Sequence, residues 1–318
     1  MLALGRSRGN LGELLTRRNS LAEGEGWLFE PNVDPHAFAL LGFAEASAGI
    51  TRTQRENREG WWAHAKRNKA FILDAAARVE RPALAVVLGA GKTYDLPIQE
   101  LAQRFERVVL VDIDADALAA TIRERAFGPR VEARPMDVTG VTARLARGIE
   151  SALSSSSPEE HLEALCRSYR LASPPQFLPA GERADLLVSA MLLSQLGLQP
   201  KLAAKRLYER RFGPIARASE ARWSFAWDEL ELRLQQDHVN ALTDQAELAV
   251  LSSDVVHHAT EGESWSVIGA ERLEERVPAF QEIVARAAWP WPRIRNAVRT
   301  DVGAVLLRNS VRNSGSGS

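Results

Sequence analysis

Apolar residues follow two rhythms along this chain. From residue 83 onward, short unbroken apolar runs alternate with stretches of helical period. ALAVVLGAG (83–91) is such a run, ending in glycines, as expected for a buried parallel strand entering a tight turn. Residues 96–105 predict a helix. RVVLVDID (107–114) predicts a second buried strand that closes on acids, and residues 115–126 predict another helix. RVEARPMDV (130–138) predicts a third strand, ending at Asp137. Strand–helix–strand–helix–strand over about 55 residues is the first half of a doubly wound sheet.

Residues 141–153 predict the next helix, followed by the polar loop SSSSPEE, a helix near 158–170 and the Pro-rich ASPPQFLPAGE. DLLVSAM (185–191) predicts the fourth strand. The third-to-fourth link thus exceeds 40 residues, longer than such links usually are, and predicts a helical insertion near 145–182 that forms part of a lid. Residues 200–246 have helical periodicity, and ELAVLSSDVV (247–256) predicts the fifth strand. WSVIGAERL (265–273) and DVGAVLLRN (301–309) are expected to close the sheet as an antiparallel pair.

Upstream, residues 1–80 look helical and irregular. Leu11, Leu14 and Leu15 suggest a short amphipathic helix, Pro31 and Pro35 break the chain, and residues 54–79 read as a longer helix. The expected architecture is therefore α/β: a doubly wound, mostly parallel seven-stranded sheet with helices on both faces, spanning 81–310. An N-terminal helical cap or lid (1–80) precedes it, and a flexible Gly/Ser tail (311–318) follows.

Composition narrows the function classes. Apolar residues make up 45% and charged residues 25%, which suits a globular protein, and the net charge of −1 gives no global pull toward nucleic acid. The single cysteine, Cys166, excludes an intramolecular disulfide and a cysteine-rich zinc site. No run approaches the roughly 18 apolar residues of a membrane helix. A cytoplasmic protein without membrane partners is expected.

The turn Gly89-Ala90-Gly91 lets backbone come close to a ligand. Three ligand classes compete for it. A dinucleotide fingerprint, G-x-G-x-x-G, needs a third glycine where Tyr94 stands. GAGKT resembles the end of a phosphate-binding P-loop, but the first glycine of that motif would fall on Val86, inside the strand. S-adenosylmethionine (SAM) needs close backbone approach without a pyrophosphate cradle. For it, Asp112, 21 residues after Gly91, would accept from both ribose hydroxyls, and Asp137 from the adenine amino group. The fourth strand's VSAM (188–191) would lie where the cofactor passes toward substrate. All these positions lie at carboxyl ends of strands, where doubly wound sheets bind ligands.

With VVLGAGKTYDLP, VVLVDID, ARPMDV and DLLVSAMLLSQL in this order and spacing, the chain resembles the class I SAM-dependent methyltransferases over roughly 85–195, and to about 309 with the last strands. The resemblance implies SAM as cofactor, with Gly89, Ala90, Gly91, Tyr94, Asp112, Ile113, Asp137, Val138 and Ser189 at its site. A tight turn for the glycines and a helix N-cap for the aspartates are the plain alternatives. The Asn/Asp-Pro-Pro-Tyr/Phe tetrapeptide of the family's adenine and amide enzymes is absent, because SAMLLSQL follows the fourth strand. The acceptor is therefore expected to be an N or O atom of a small molecule or peptide, with nucleic acid disfavoured.

Methyl transfer needs alignment, exclusion of water and, for a protonated nucleophile, a base. Asp254 and His257, in SSDVVHH after the fifth strand, are the candidate bases; loop polarity is the plain alternative. Gln195 sits where substrate contacts are expected, although a solvated helix residue would look the same. The basic, aromatic segment 51–69 offers Trp62 and His64 as substrate contacts if that helix closes over the cofactor. A metal site from His238, His257 and His258 is weaker, because adjacent histidines point apart on a strand. No metal is expected. Two other readings stay open. An NAD(P)-dependent oxidoreductase would need the missing glycine and a Tyr-x-x-x-Lys pair. A non-catalytic, methyltransferase-like binding subunit would keep the same loop.

Overall fold

A computed structural model describes residues 33–170, 175–259, 262–293 and 298–309. The expected helix around Leu11–Leu15, Pro31 and the 311–318 tail lie outside them. Along the described chain run α1 (Pro35–Leu41), α2 (Phe43–Glu56), α3 (Arg58–Ala77), β1 (Leu84–Leu88), α4 (Ile98–Arg104), β2 (Arg107–Asp112), α5 (Ala115–Arg125), β3 (Val131–Pro135), α6 (Thr142–Leu153) and α7 (Pro158–Ser168). Then follow β4 (Ala184–Ala190), α8 (Leu198–Phe212), α9 (Arg217–Asp244), β5 (Ala246–Ala259), β6 (Ser264–Ser266), β7 (Gln281–Arg293) and β8 (Val298–Asn309).

The sheet runs β3-β2-β1-β4-β5-β8-β7, and short β6 pairs with the far end of β5 as an eighth strand. The first five are parallel; β8 is antiparallel to β5, and β7 to β8. Val86 lies between Val109 of β2 and Leu187 of β4, so β1 is flanked on both sides and its carboxyl end is the topological switch point. Strands β1, β2 and β4 are buried on both faces, which is why their sequences read as unbroken apolar runs.

The closing hairpin differs from expectation. WSVIGAERL forms only the three-residue β6 and irregular backbone, and the strand that pairs with β8 is QEIVARAAWPWPR. Its two prolines argue against a central strand. Here β7 is the sheet's edge, where a missing N–H breaks no ladder bond. The helical region 200–246 is two helices, because Gly213 ends α8 at φ +87° and Pro214 follows it.

Helix α3 covers one face of the sheet. Trp61, His64, Ala65, Asn68, Ile72, Ala75 and Ala76 are buried at helical spacing, whereas Trp62, one residue out of phase, is 68% exposed under Lys66. Arg104 on α4 donates to the carbonyls of Ala76, Ala77 and Val79, so the last turn of α3 is closed by a guanidinium. At the other end Asn57 Nδ2 donates to Pro292 O of β7 at 3.0 Å. On the opposite side, inserted helix α7 packs on α9 and α6. No described residue of 145–182 lines the cavity at the switch point.

Candidate functional site

A cavity of about 490 Å³ opens at the carboxyl ends of the parallel strands. Gly89–Asp95 after β1, Asp112–Asp114 after β2, Met136–Thr139 after β3, and Ala190–Leu192 after β4 line it, with Asp254 of β5 and Trp291 of β7. Phe43, Ala46, Ser47, Ile50 and Thr53 form its outer wall. Their spacing of three and four places them on one face of α2, a helix with no buried residue of its own.

The backbone at the switch point is sharply bent. Gly89 has φ +66° and Gly91 φ +45°, and Thr93 also takes a left-handed conformation at +55°, unusual for a β-branched residue. Met191, beyond β4, is the other cavity residue of this kind, at +56°. A Cβ on Gly89 would lie 3.0 to 3.2 Å from the Leu192 side chain, so that glycine is required by space as well as by φ. Helix α4 begins only at Ile98, leaving six residues between Gly91 and the first helical turn. The helix that follows β1 therefore does not start at the turn, as it would in a dinucleotide or P-loop site.

Asp112 ties this turn to β2. Its Oδ2 accepts from Gly91 N–H at 2.9 Å and its Oδ1 from Asp114 N–H at 2.8 Å. The Ile113 N–H also favours the ionised carboxylate. Loss of water around the carboxylate outweighs these bonds and pushes its pKa up to about 6. Asp137 is buried and engaged differently. Oδ1 accepts from Thr139 N–H and Oγ1–H, and Oδ2 from Thr142 N–H and Oγ1–H, at 2.6 to 2.9 Å. It fastens the loop after β3 to the start of α6.

Of the residues singled out from sequence, Gly89, Ala90, Gly91, Tyr94, Asp112, Ile113, Asp137, Val138, Gln195 and Asp254 line this one cavity. Ser189, Trp62, His64 and His257 do not. Ser189 points to the opposite face of β4, where its Oγ is 2.8 Å from Nε2 of buried His238 on α9. Strand alternation puts Ala190, not Ser189, on the side shared with α3. His257 meets Thr300 Oγ1 at 2.8 Å and the Trp265 ring, while His258 meets Ser264 and Asp301. Among the described residues no three metal-ligating side chains converge, and no helix is long and apolar enough to cross a membrane.

Among the lining residues not assigned a site role from sequence are Trp61, Asp95 and Trp291. The phase of the buried stripe on α3 separates Trp61 from Trp62 and was available as a signal. Trp291 was hidden because its strand carries prolines, and nothing local marks Asp95.

A parallel 3-2-1-4-5 sheet closed by an antiparallel hairpin, with its cavity at the switch point, is the class I SAM-dependent methyltransferase fold. No protein-family model and no curated protein matches the sequence. Among solved structures, the chain is similar to N-methyltransferase NodS from Bradyrhizobium japonicum WM9, at 11% identity and TM-score 0.41, over 77% of this chain and 95% of that one. It is similar to Burkholderia thailandensis 1,6-didemethyltoxoflavin-N1-methyltransferase, solved with S-adenosylhomocysteine (SAH), at 14% and 0.42, over 89% and 94%. An rRNA methylase from Streptococcus thermophilus matches at 10% and 0.33, over 74% and 92%. At such identities and scores these likenesses carry no argument about substrate or residue roles.

Proposed function

We propose that the protein is a SAM-dependent methyltransferase acting on N or O of a small molecule or peptide. The observation that carries this reading is the charge of the cavity. Among its described lining residues stand five carboxylates, of Asp95, Asp112, Asp114, Asp137 and Asp254, against one ammonium, of Lys92. SAM, with a sulfonium and an ammonium against one carboxylate, is a net cation. A dinucleotide or a nucleic-acid backbone brings phosphates, which such a wall repels. The separation of α4 from the glycine turn points the same way.

The residues fit the cofactor in detail. The Gly89–Gly91 turn lets backbone approach the amino-acid part. Asp112 offers its carboxylate as an acceptor to vicinal hydroxyls. Ile113 and Val138 give apolar walls for a purine, and Asp137 acts through the loop it fastens. The face of α2 shields the cavity from water. When bound, SAM supplies an electrophilic methyl carbon on a sulfonium. Asp254 lines the cavity, and its carboxylate is our candidate for taking the acceptor's proton.

Calorimetric titration tests the reading. SAM and SAH are expected to bind at sub-millimolar concentrations, with no heat from NAD. Binding of NAD alone would favour the oxidoreductase, and binding of none of the three would remove the methyltransferase reading.

A further inference from the structure

The cavity has two unlike halves. Toward β2 and β3 it is lined by Asp112, Ile113 and the loop after β3. Toward β5 and β7 it is aromatic and acidic, with Trp61, Tyr94, Asp95, Asp254 and Trp291. Trp61 stands nearly perpendicular to both neighbouring rings: 5.2 Å and 88° from Trp291, and 6.1 Å and 86° from Tyr94. Three rings therefore meet at a corner, and the carboxylates of Asp95 and Asp254 line the same cavity. The Trp61 N–H is buried and finds no acceptor among the described residues, so it suits an acceptor atom on a ligand.

Asp95 is held from behind. Trp289 Nε1–H, which can only donate, lies 3.1 Å from His64 Nδ1. His64 must therefore accept at Nδ1 and carry its proton on Nε2, which lies 3.4 Å from Asp95 Oδ2. The imidazole stacks on Trp291 at 4.3 Å and 16°, and Asn68 Nδ2 donates to the Asp95 carbonyl at 3.2 Å. One carboxylate of the corner is thus oriented by a buried chain of Trp289 and His64, two residues that do not themselves line the cavity.

We propose that this corner binds the acceptor as an organic cation: an amine carried on an aromatic or planar body, its charged nitrogen set among the rings with Asp95 and Asp254 as counter-charges. Aromatic faces attract cations, and the attraction grows when water is excluded. Adjacent carboxylates add N–H acceptors and discriminate against anions. Only the word acceptor rests on the methyltransferase reading; the cation site stands on the corner's own chemistry.

The test is a ligand series matched in shape, read by tryptophan fluorescence with and without saturating SAH. The probes are phenethylamine, phenethyltrimethylammonium, phenethyl alcohol and phenylacetate. Both cations are expected to bind at least about tenfold more tightly than the alcohol or the acid. Asp95→Asn and Asp254→Asn, checked for folding by circular dichroism, are each expected to lose about tenfold for the cations and nothing for the alcohol. Equal binding of the alcohol or phenylacetate, unchanged cation binding in both variants, or no binding of any probe at millimolar concentration would overturn the proposal. If SAH fails to bind while the cation series behaves as expected, the methyltransferase reading falls and the cation site stands.

Discussion

The Gly91 N–H donates to Asp112 Oδ2 at 2.9 Å, so the turn after the first strand and the acid at the end of the second hold each other in place. Burial nevertheless leaves the Asp112 pKa at about 6. Hydroxyl donors favour the ionised carboxylate, so cofactor binding should couple to loss of its proton. SAH affinity is expected to be level above pH 6 and to fall by up to about tenfold per pH unit below it. Asp112→Asn should weaken SAH by roughly tenfold to a hundredfold at pH 7.5 and flatten the profile. Calorimetry from pH 5 to 8 checks both.

Behind the sheet, Ser189 and His238 form a buried pair whose effect should be on stability alone. Burial lowers the His238 pKa from 6.5 to about 3. The unfolded chain binds that proton at the ordinary pKa, so the stability gained from a neutral His238 is lost as pH falls from 6.5 toward 3, by up to about 1.4 kcal/mol per unit. Asp112 has the opposite sign: its folded form holds a proton more tightly between pH 3.8 and 6, so its contribution declines as pH rises through that window. His238→Gln is expected to gain stability relative to the parent as pH falls from 6.5 to 4 in urea titrations, with SAH affinity at pH 7.5 unchanged. Ser189→Ala should cost roughly 1–2 kcal/mol, also without affecting SAH.

The two glycines of the turn should fail differently. Gly89→Ala places a methyl against Leu192 and strains the backbone, whereas the space beside Gly91 is open to 3.8 Å, at Asp112 Oδ2. Both substitutions carry a left-handed penalty of about 1–2 kcal/mol. Gly89→Ala should lose more stability and more SAH affinity. In the double variant with Leu192→Ala, the affinity loss should partly recover. Equal losses for the two glycines would show that φ alone matters.

Helix α5 ends on an exposed residue that its own conformation disfavours. Ala126 caps it at φ 48°, ψ 48° with its N–H bonded to Ile122 O. Ala126→Gly relieves the left-handed strain and gains back less in unfolded-state entropy than it releases. A stability increase of roughly 0.5–1 kcal/mol in urea unfolding is expected, with ligand binding unaffected.

Local sequence determined the parallel half of the fold because burial on both faces leaves an unbroken apolar run. Strands β1, β2 and β4, the glycine turn and Asp112 were legible for that reason, and so was the antiparallel final strand. What local pattern does not carry is which neighbour covers an element. The prolines of QEIVARAAWPWPR become acceptable only because β7 is an edge. Ser189 and Ala190 differ by one step of the pleat, which sends one hydroxyl to His238 and leaves the next residue at the cavity. Asp95, Trp61 and Trp291 come from a loop, a helix and an edge strand far apart in the chain. Tertiary packing alone brings them to one corner, because a binding surface is a property of three-dimensional proximity and a hydrophobic period reports only which side of its own element a residue occupies.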